Sequence, residues 1–404
     1  MKIRKKITTL CCLLLLGLLG LCGCGSPSSD SAGRESSESV PGETEQIVSV
    51  QSEDTDRGRS ELTYESSMEL QYAEHFSVDY YEGGYRMLTV KDGTRILTVP
   101  EGMEIPKDLE EDVIFLREPV RNLYLVASAA MDMFDKLDAL DTIRLSGQKE
   151  DGWYLDEARE AMRDGDILYA GKYNKPDYEL IVSEDCSLAI ENVMITHSPE
   201  VVEMLENFGI PVLIDYSSYE PHPLGRVEWI RFYGALLGKE EEAEREFARQ
   251  TAILDSVTSD EKTDKTVAFF YITSNGLVQV RQSSDYIPKM IELAGGRYIF
   301  ENLGDPDSAR STVSMQIEEF YDGAKEADYI IYNSSIDGGV ASVEELLAKC
   351  PVLKDFRAVQ AGNVWCTTND MYQKSMSIGD LIGDIHNMLL GKEDADMKYL
   401  FRLE

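Results

Sequence analysis

The chain has few basic residues and few histidines. It contains 39 lysines and arginines against 74 aspartates and glutamates, and its formal net charge is −35. An acidic chain lacks the basic face that nucleic-acid binding needs, so no nucleic-acid partner is expected. Four histidines are too few to predict a bare-metal site built from several imidazoles with carboxylates. A site for an anionic ligand would need a local cluster of cations to overcome the overall field.

Cysteine is scarce as well. Beyond the first 23 residues the chain has only Cys24, Cys186, Cys350 and Cys366. No C-x-x-C pair occurs, which excludes the usual zinc and redox motifs. If Cys24 is modified, three cysteines are left, and two interpretations stay open. Either one disulfide forms between partners that the sequence cannot assign, or the thiols are free and buried.

The N-terminus does contain a long hydrophobic run. Lys2, Arg4, Lys5 and Lys6 precede an apolar stretch over 7–21, and Leu21-Cys22-Gly23-Cys24 follows. This order resembles a bacterial lipoprotein signal, in which the cysteine after the cleavage site receives acyl chains. The pattern predicts a signal peptide over 1–23 and lipidation of Cys24. The protein would then be anchored to the cell membrane on its extracytoplasmic face. The alternative is an ordinary secretory signal with a chance cysteine.

No aromatic residue occurs between residues 25 and 62. This stretch is rich in serine, glutamate, glycine and aspartate, and such a composition cannot bury enough apolar surface to order itself. We therefore predict a disordered tether over 24–62, which would connect the lipid anchor to the folded part of the chain.

Short apolar runs alternate with helical patterns from residue 86 onward. Two β-rich runs within 86–99 flank Asp92-Gly93, a strong turn pair, and predict a β-hairpin. Further strands are predicted at 123–127, 180–182, 193–195, 211–214, 267–271, 329–332 and 363–366. Helices are predicted at 130–140, 199–208, 223–237, 240–256, 287–294, 317–327, 343–349 and 378–390. This alternation predicts an α/β fold with largely parallel sheets.

A long charged helix divides the alternating series into two similar halves. We predict an N-terminal α/β lobe over 63–238, an interdomain helix over 239–260 and a C-terminal α/β lobe over 261–404. The expected architecture is therefore two Rossmann-like lobes with parallel sheets, joined by one long helix. The roughly 380 residues after the signal are enough for two domains of ordinary size.

Four segments, taken in order, resemble a known family. They are a strand–turn–helix unit at 126–143, the L-x-x-x-G-I-P-V step at 205–212, the G-x-L-x-G-x-E-x-x-A pattern at 234–243, and E-x-A-G-G at 292–296. Together they resemble the class III, helical-backbone periplasmic substrate-binding lipoproteins. These proteins deliver iron–siderophores, haem and corrinoids such as cobalamin to ABC importers. The resemblance covers the chain from about residue 110 to the end, and the chain departs from it at 144–180, which looks like an insertion.

The resemblance implies a monomeric binding protein rather than an enzyme. Its ligand would be a small metal chelate held in the cleft between the lobes, with no resident cofactor or bare metal. A ferric siderophore is the leading candidate, and haem and corrinoid are alternatives. The alternative functions are a sensor and a hydrolase. A sensor lipoprotein could use the same fold without transport, and a surface hydrolase is disfavoured because no G-x-S-x-G elbow occurs.

Loops at the carboxyl ends of strands supply the ligand-binding candidates, because clefts of α/β folds form there. In the first lobe these residues are Ser128, Lys172, Tyr173, Asn174 and His197. In the second lobe they are Tyr271, Asn275, Arg281, Tyr286, Asp370 and Tyr372. Tyrosine stacks on planar ligands, and arginine grips oxygen atoms in a fork. Each tyrosine has an alternative role in packing, Arg281 in a surface ion pair, and His197 in a loop hydrogen bond rather than on haem iron.

A second set of candidates concerns docking to the ABC permease. In the family, one acidic residue on each lobe pairs with arginines of the membrane subunits. The resemblance places these residues near Glu200 or Glu203 on the first lobe and near Glu318 or Glu319 on the second. The alternative is that these carboxylates only stabilise helix N-termini, where the helix dipole favours negative charge.

Overall fold

The computed structural model describes residues 62–404, apart from residue 108 and the segments 259–261, 306–309 and 393–395. The described residues belong to one unit of the chain. The predicted signal peptide, Cys24 and the predicted tether up to residue 61 lie outside them. Within the described ranges, no helix is both long and apolar enough to cross a membrane.

A small sheet precedes the first lobe. Its strands, in spatial order, are β1 (Tyr64–Ser67), β2 (Phe76–Tyr81), β3 (Tyr85–Val90), β4 (Arg95–Val99) and β5 (Ile114–Arg117). The hairpin predicted at Asp92-Gly93 is confirmed, because β3 and β4 pair antiparallel on either side of it. Gly93 has a φ of +92°, a conformation that glycine adopts at little cost. The Asp92 carboxylate accepts a 2.9 Å hydrogen bond from the Thr94 N–H and closes the turn.

The first lobe is built on a parallel sheet. Its strands are β6 (Leu123–Leu125), β7 (Ile143–Ser146), β8 (Leu168–Tyr169), β9 (Gly171–Lys172), β10 (Lys175–Pro176), β11 (Leu188–Asn192) and β12 (Val212–Asp215). The spatial order is β12-β11-β6-β7-β8, with every pair parallel, while β9 and β10 form a separate hairpin. All the carboxyl ends of the five parallel strands therefore lie at one edge of the sheet.

Six α-helices accompany these strands among the described residues. They are α1 (Ala130–Lys136), α2 (Asp156–Asp164), α3 (Tyr178–Ser183), α4 (Pro199–Asn207), α5 (Pro223–Leu237) and α6 (Glu240–Thr258). Helix α5 has the bounds expected from the sequence. Pro223 sits in its first turn, where a missing N–H costs nothing, and Gly238 ends it with a φ of +69°.

Two predicted strands of the first lobe are wrong. Residues 180–182 belong to α3, because the Asp177 carboxylate caps that helix by accepting a 3.1 Å hydrogen bond from the Leu180 N–H. Residues 193–195 lie in a 3₁₀ turn that follows β11. There the Asn192 side chain accepts a 2.9 Å hydrogen bond from the Met194 N–H and draws the backbone out of the sheet. Short apolar runs do not distinguish strand from helix, and the capping residue decides.

The second lobe contains a mixed sheet with a parallel centre. Its strands are β13 (Thr266–Ile272), β14 (Val278–Arg281), β15 (Arg297–Tyr298), β16 (Thr312–Met315), β17 (Tyr329–Tyr332), β18 (Val364–Thr367) and β19 (Leu400–Arg402). The order is β16-β14-β13-β17-β18-β19, with β15 paired to β13. Strands β13, β17 and β18 are parallel to one another, whereas the pairs β13–β14, β14–β16 and β18–β19 are antiparallel. The α/β class with parallel sheets in two lobes is thus confirmed.

Helices cover the second sheet, and the first and the last of them pack against α6. They are α7 (Tyr286–Leu293), α8 (Ile317–Ala324), α9 (Val343–Lys349), α10 (Arg357–Ala361) and α11 (Ile378–Leu389). Ala243 of α6 packs directly against Gly234 of α5, and the approach is so close that a Cβ at position 234 would collide with the Ala243 side chain. On the other side, the Gln250 side chain accepts a 2.7 Å hydrogen bond from the Gly379 N–H at the start of α11. Helix α6 therefore contacts helices of both lobes.

A buried carboxylate attaches the chain before β2 to the first lobe. Glu228 of α5 is fully buried and accepts hydrogen bonds of 2.7–2.8 Å from the N–H groups of Gln71, Tyr72 and Ala73. Arg231 balances its charge from 2.9 Å. One carboxylate thus satisfies three consecutive backbone donors that no strand partner could reach.

Cys186, Cys350 and Cys366 are buried free thiols. The disulfide that the sequence left open is therefore absent among these three described cysteines.

Candidate functional site

A cavity of about 670 Å³ lies between the two lobes. It opens at the carboxyl edges of the sheets, where Ser128 follows β6, Ser217 follows β12 and Tyr372 follows β18. Clefts of α/β folds form at this edge, and pockets for small ligands typically enclose roughly 300–1,000 Å³. The cavity is therefore the candidate ligand site.

Arg226 presents a cation to this cavity from the first turn of α5. Its guanidinium lies 3.6 Å from the ring centroid of Tyr286, and its Nε donates a 3.3 Å hydrogen bond to the Glu220 carbonyl. No ion pair to Arg226 occurs among the described residues. Burial lowers the pKa of Arg226, but arginine still carries its charge near neutral pH. The two Nη groups are thus free to donate to a ligand.

Arg281 is the second cation, at the end of β14. Its Nη1 lies 3.5 Å from an Asp285 carboxylate oxygen, and its Nη2 donates to the Tyr372 hydroxyl oxygen. Asn333 donates to the same oxygen over 2.7 Å. Burial opposes the charged form, but Tyr372 and Asp285 prevail and raise the pKa of Arg281 above the usual arginine value. The contacts hold Arg281 and Tyr372 in one fixed arrangement.

The cavity carries more positive than negative charge. Arg310, which precedes β16, adds a third guanidinium to the wall. Two carboxylates also line the cavity, but Asp285 faces Arg281 and Glu220 is occupied elsewhere. The Glu220 carboxylate accepts hydrogen bonds of 2.9 Å from the N–H groups of Glu74 and His75 and from the Trp229 indole. In a chain of net charge −35, this is the local basic cluster that an anionic ligand requires.

One segment of the second lobe both lines the cavity and holds the first lobe. This segment, which we call the strap, comprises residues 370–377 after β18. Its Gln373 donates to the Gly152 carbonyl over 2.8 Å and accepts from the Tyr154 N–H over 2.7 Å. Ser375 donates to the Ala129 carbonyl, and the Met376 N–H donates to the Asp132 carboxylate, each over 2.7 Å.

Asp132 is the buried member of this contact between the lobes. Only 1% of its surface is exposed, and burial raises its pKa to about 6, against the opposing hydrogen bond from Met376. Because the Met371 and Tyr372 side chains of the strap line the cavity, the strap links the ligand site to the lobe interface.

Five of the predicted ligand residues line the cavity, and six do not. Those in the wall are Ser128, Tyr271, Arg281, Tyr286 and Tyr372. Those outside it are Lys172, Tyr173, Asn174, His197, Asn275 and Asp370.

The β9–β10 hairpin takes Lys172, Tyr173 and Asn174 away from the cavity wall. The chain reverses at Tyr173 and Asn174, and Gly171, with a φ of +93°, lets β10 approach β9 closely, because a Cβ there would collide with the Lys175 carbonyl oxygen. The Tyr124 hydroxyl fixes the start of the hairpin by donating to the Gly171 carbonyl over 2.9 Å. His197 is exposed at the end of the 3₁₀ turn after β11. Asn275 lies in the turn between β13 and β14, and Asp370 pairs with Lys374 over 2.8 Å.

Sequence reasoning missed Arg226 and Arg310. Arg226 lies inside a correctly predicted helix, and the sequence does not say which face of that helix meets the second lobe. A usable pattern was nonetheless present. Arg226, Glu228 and Arg231 are the only charged residues in the 15-residue α5, and 12 residues of this helix are buried. Burying a charged side chain is costly unless it is paired, so charged residues in a buried helix indicate ion-pair partners or a ligand.

The predicted docking carboxylates are exposed on two helices. Glu200 and Glu203 lie on α4, and Glu318 and Glu319 lie in the first turn of α8. The sequence predicts Glu203 at the N-terminus of a helix, but in the structure it lies beyond the first turn of α4. None of the four forms an ion pair within the part of the chain that the structure describes. Their role in docking stays a prediction.

No cluster of three or more histidine, cysteine or carboxylate side chains that could hold a metal ion occurs in the described residues. The cavity wall itself, as far as the structure describes it, contains no histidine. His222 lies nearby, where its Nδ1 caps α5 by accepting a 3.1 Å hydrogen bond from the Leu224 N–H. Tyrosine and arginine therefore supply the functional groups of this site.

Glu191 is an unusual buried carboxyl group on β11. It is 0% exposed, and neither of its carboxylate oxygens has a hydrogen-bond partner in the described structure. Burial raises its pKa to about 8. The titratable groups that sense it are the buried Tyr124 and, on α3, Tyr178. At neutral pH the group is mostly protonated, which avoids the cost of an unpaired buried charge.

We expect this carboxyl group to make stability fall as pH rises. A raised pKa in the folded state favours folding below the unfolded pKa, near 4.5, and this gain is lost as pH rises through about 8. The free energy of unfolding should therefore drop by about 1.4 kcal/mol per pH unit between these limits. Glu191→Gln cannot ionise and should lack this slope. Urea unfolding at about pH 5.5, 7 and 8.5 tests it, and parallel profiles for both proteins would refute the assignment.

Curated relatives of the chain are uncharacterized proteins of Methanocaldococcus jannaschii, and no family model matches. One, named an uncharacterized lipoprotein, is 27% identical over 246 residues, which are 59% of this chain and 56% of that protein. The chain thus spans little more than half the length of this relative. A second uncharacterized lipoprotein is 25% identical over 342 residues, which are 80% of this chain and 84% of that protein.

Solved structures resemble the chain in fold at low sequence identity. A possible iron-binding periplasmic solute-binding protein from Staphylococcus epidermidis has a TM-score of 0.53 and 12% identity, covering 67% of this chain and 99% of that one. A periplasmic heme-binding protein of Vibrio cholerae has a TM-score of 0.53 and 14% identity, covering 65% and 97%. A structure from an Fe3+-hydroxamate transport system of Saccharomonospora viridis has a TM-score of 0.51 and 20% identity, covering 67% and 93%. The chain has the periplasmic solute-binding fold, as the resemblance implied.

Proposed function

We propose that the chain is the extracytoplasmic solute-binding lipoprotein of an ABC importer, and that it captures a negatively charged ferric siderophore-type complex between its lobes. The observation that carries this proposal is the unpaired guanidinium of Arg226, which faces the cavity next to Arg281. Two cations in one enclosed site recognise clustered oxygen atoms of an anion. The rest of the acidic chain would repel such a ligand.

The composition of the wall favours a polar chelate over a flat apolar ring. Besides Ser217 and Ser375, whose hydroxyls donate within the protein, nine hydroxyl-bearing residues of the described chain line the cavity together with the arginines, namely Ser128, Ser218, Tyr219, Tyr271, Ser284, Tyr286, Ser311, Thr312 and Tyr372. Hydroxyl groups can donate to the oxygen atoms that surround iron in a catecholate or carboxylate chelate. A porphyrin would need a wide apolar slot, and haem is therefore the second candidate.

The related proteins support the transport role and the location. Neighbours in fold are described as an iron-binding protein, a heme-binding protein and part of an Fe3+-hydroxamate transport system. They are binding proteins, which supports a function without catalysis. Two curated relatives are named lipoproteins, which supports lipidation of Cys24 and anchoring at the extracytoplasmic face.

Fluorescence titration of the purified protein tests the proposal. We expect a ferric tris-catecholate complex to quench tyrosine and tryptophan emission with one-to-one stoichiometry at submicromolar concentration. A neutral ferric hydroxamate should bind at least about tenfold more weakly, because it offers the arginines no charge. Saturable binding of haem alone would move the assignment to haem. A folded protein that binds none of the anionic ferric complexes would refute the proposed ligand class.

We expect docking to depend on both lobes. The double variant Glu200→Lys/Glu318→Lys reverses one exposed charge on each lobe and should reduce cellular uptake of the radiolabelled chelate at least about tenfold. Ligand affinity in solution should stay within about twofold, because neither residue lines the cavity.

A matched control for docking is available. Glu157 and Glu344 are exposed carboxylates in the first turns of α2 and α9, one in each lobe. The variant Glu157→Lys/Glu344→Lys should leave uptake unchanged. Equal losses of uptake in both double variants would mean that overall charge matters, and would contradict specific docking at Glu200 and Glu318.

A further inference from the structure

A second, smaller chamber lies beside the main cavity. This chamber, which we call the annex, has a volume of about 230 Å³ and lies at the carboxyl ends of β6, β11 and β12. It shares Ser128, Ala129, Ser218 and Tyr219 with the wall of the main cavity. The two spaces therefore lie side by side, and the shared residues form the stretch of wall where they meet.

The polar groups at the base of the annex are already occupied. The Asn192 side-chain oxygen accepts a 2.9 Å hydrogen bond from the Met194 N–H. One Asp215 carboxylate oxygen accepts from the Ser217 N–H over 2.9 Å and from the Ser217 hydroxyl, and the other accepts from the Tyr233 hydroxyl. These groups have no need of a ligand partner, so the annex gains little from a polar guest.

Apart from Ser128, Ser218 and Tyr219, which the annex shares with the main cavity, the remaining wall of the annex is apolar. Ala127, Val193 and Met194 contribute it, and 44% of the Met194 surface is exposed although methionine is a hydrophobic residue. A flexible thioether side chain adapts to guests of varied shape. Covering this surface would remove apolar area from water, which favours an apolar guest of modest size.

The balance of charge differs between the two spaces, because three arginines and two carboxylates line the main cavity. Arg226, Arg281 and Arg310 line the main cavity and are absent from the annex wall, as far as the structure describes it. Asp215 is the one carboxylate in the annex wall among the described residues. A negatively charged group is therefore attracted to the main cavity and disfavoured in the annex.

From this arrangement we infer that the ligand has two parts, an anionic head bound by the arginines and a neutral apolar arm that enters the annex. This inference rests on the proposed function for the ferric nature of the head, but the annex itself does not depend on iron. It narrows the ligand class to asymmetric chelates and excludes compact, symmetric ones as the best ligand.

A fluorescent probe of the same design tests the inference without iron. The dye 8-anilinonaphthalene-1-sulfonate carries an anionic group and an apolar aromatic arm, and N-phenyl-1-naphthylamine is its neutral counterpart. With the full-length protein, we expect one-to-one binding of the sulfonate dye at micromolar concentration. Arg226→Gln should lower the affinity for the sulfonate dye at least about tenfold and the affinity for the neutral dye less than about twofold, because only the sulfonate interacts with the guanidinium.

Blocking the annex gives the decisive comparison. Val193→Trp should fill the annex and lower the affinity for both dyes at least about tenfold. The control is Val182→Trp, at an exposed position on α3 outside both chambers, which should change neither affinity. Met194→Trp, at a half-exposed position, serves if Val193→Trp does not fold. Failure of the dye to bind, or equal affinities in the annex and Val182→Trp variants, would overturn the inference.

Competition separates this inference from the proposed function. A ferric tris-catecholate complex should displace the sulfonate dye from the wild-type protein. If annex variants weaken the dye but the ferric complex never displaces it, the two-part site stands and the proposed iron chelate is wrong. If the ferric complex binds but the annex variants leave both dyes unaffected, the proposed function stands and the annex has no part in binding.

Discussion

Replacing Arg226 with glutamine is expected to lower the affinity for an anionic ferric chelate on the order of 100-fold, or about 3 kcal/mol. The side chain stacks on Tyr286 at 3.6 Å and has no ion-pair partner among the described residues, so its charge is available to the ligand. Hydrogen bonds to charged groups are worth about 1.5–3 kcal/mol each. Arg226→Lys keeps the charge but loses the forked geometry and the flat stacking surface of the guanidinium. Its affinity for the chelate should lie between those of the wild-type protein and Arg226→Gln.

The control for this prediction is a second arginine far from the cavity. Arg245 lies on α6 with 65% of its side chain exposed, and among the described residues only Glu246 pairs with it, at 3.8 Å. Arg245→Gln removes the same net charge and should change affinity less than about twofold. Titration of all three variants with the ferric tris-catecholate complex gives the comparison. Similar affinities for the two glutamine variants would show that the overall field, rather than Arg226 itself, holds the ligand.

Replacing Glu228 with alanine is expected to reduce the free energy of unfolding by about 3–5 kcal/mol. The carboxylate is fully buried and accepts hydrogen bonds from three consecutive N–H groups at Gln71, Tyr72 and Ala73. Its removal leaves these three donors without their acceptor and takes from Arg231 one of its two carboxylate partners among the described residues. Few other single side chains in the described structure satisfy so many backbone donors.

A nearby surface glutamate provides the control. Glu244 also pairs with Arg231, at 3.0 Å, but 55% of its side chain is exposed. Glu244→Ala should therefore cost less than about 1 kcal/mol. Urea unfolding followed by far-UV circular dichroism measures both. A loss below about 1 kcal/mol for Glu228→Ala would mean that the segment before β2 contributes little to the folded state.

Helix bounds could be predicted where the sequence punctuates them. Pro223 and Gly238 delimit α5, and a missing N–H at one end and a positive φ at the other leave little alternative. The strand Tyr329–Tyr332 was equally clear, because a fully apolar run between polar segments predicts a strand buried on both faces. At 180–182 the same kind of run is helical, since the decisive residue is the capping Asp177 outside it.

The candidate site could be predicted only in part. Ser128, Tyr271 and Tyr372 follow or end predicted strands, and parallel strands bring their carboxyl ends to one edge, so topology alone places them at the cavity. The same reasoning named Lys172 and its neighbours, but that segment forms the β9–β10 hairpin, which lies outside the wall. Arg226 was missed because its role depends on Tyr286, 60 positions later, and no local pattern reveals a stacking partner across a cleft.

The strap has a thermodynamic consequence. The same eight residues place Met371 and Tyr372 at the ligand and form four hydrogen bonds to the first lobe through Gln373, Ser375 and Met376. Occupancy and lobe spacing are then two linked equilibria, and each must shift the other by the same coupling free energy. Under the proposed function, a permease that bound both lobes and drew them apart would strain the strap and thereby weaken ligand binding. Unloading would then need no chemical step, only force applied at two points on the outside of the molecule.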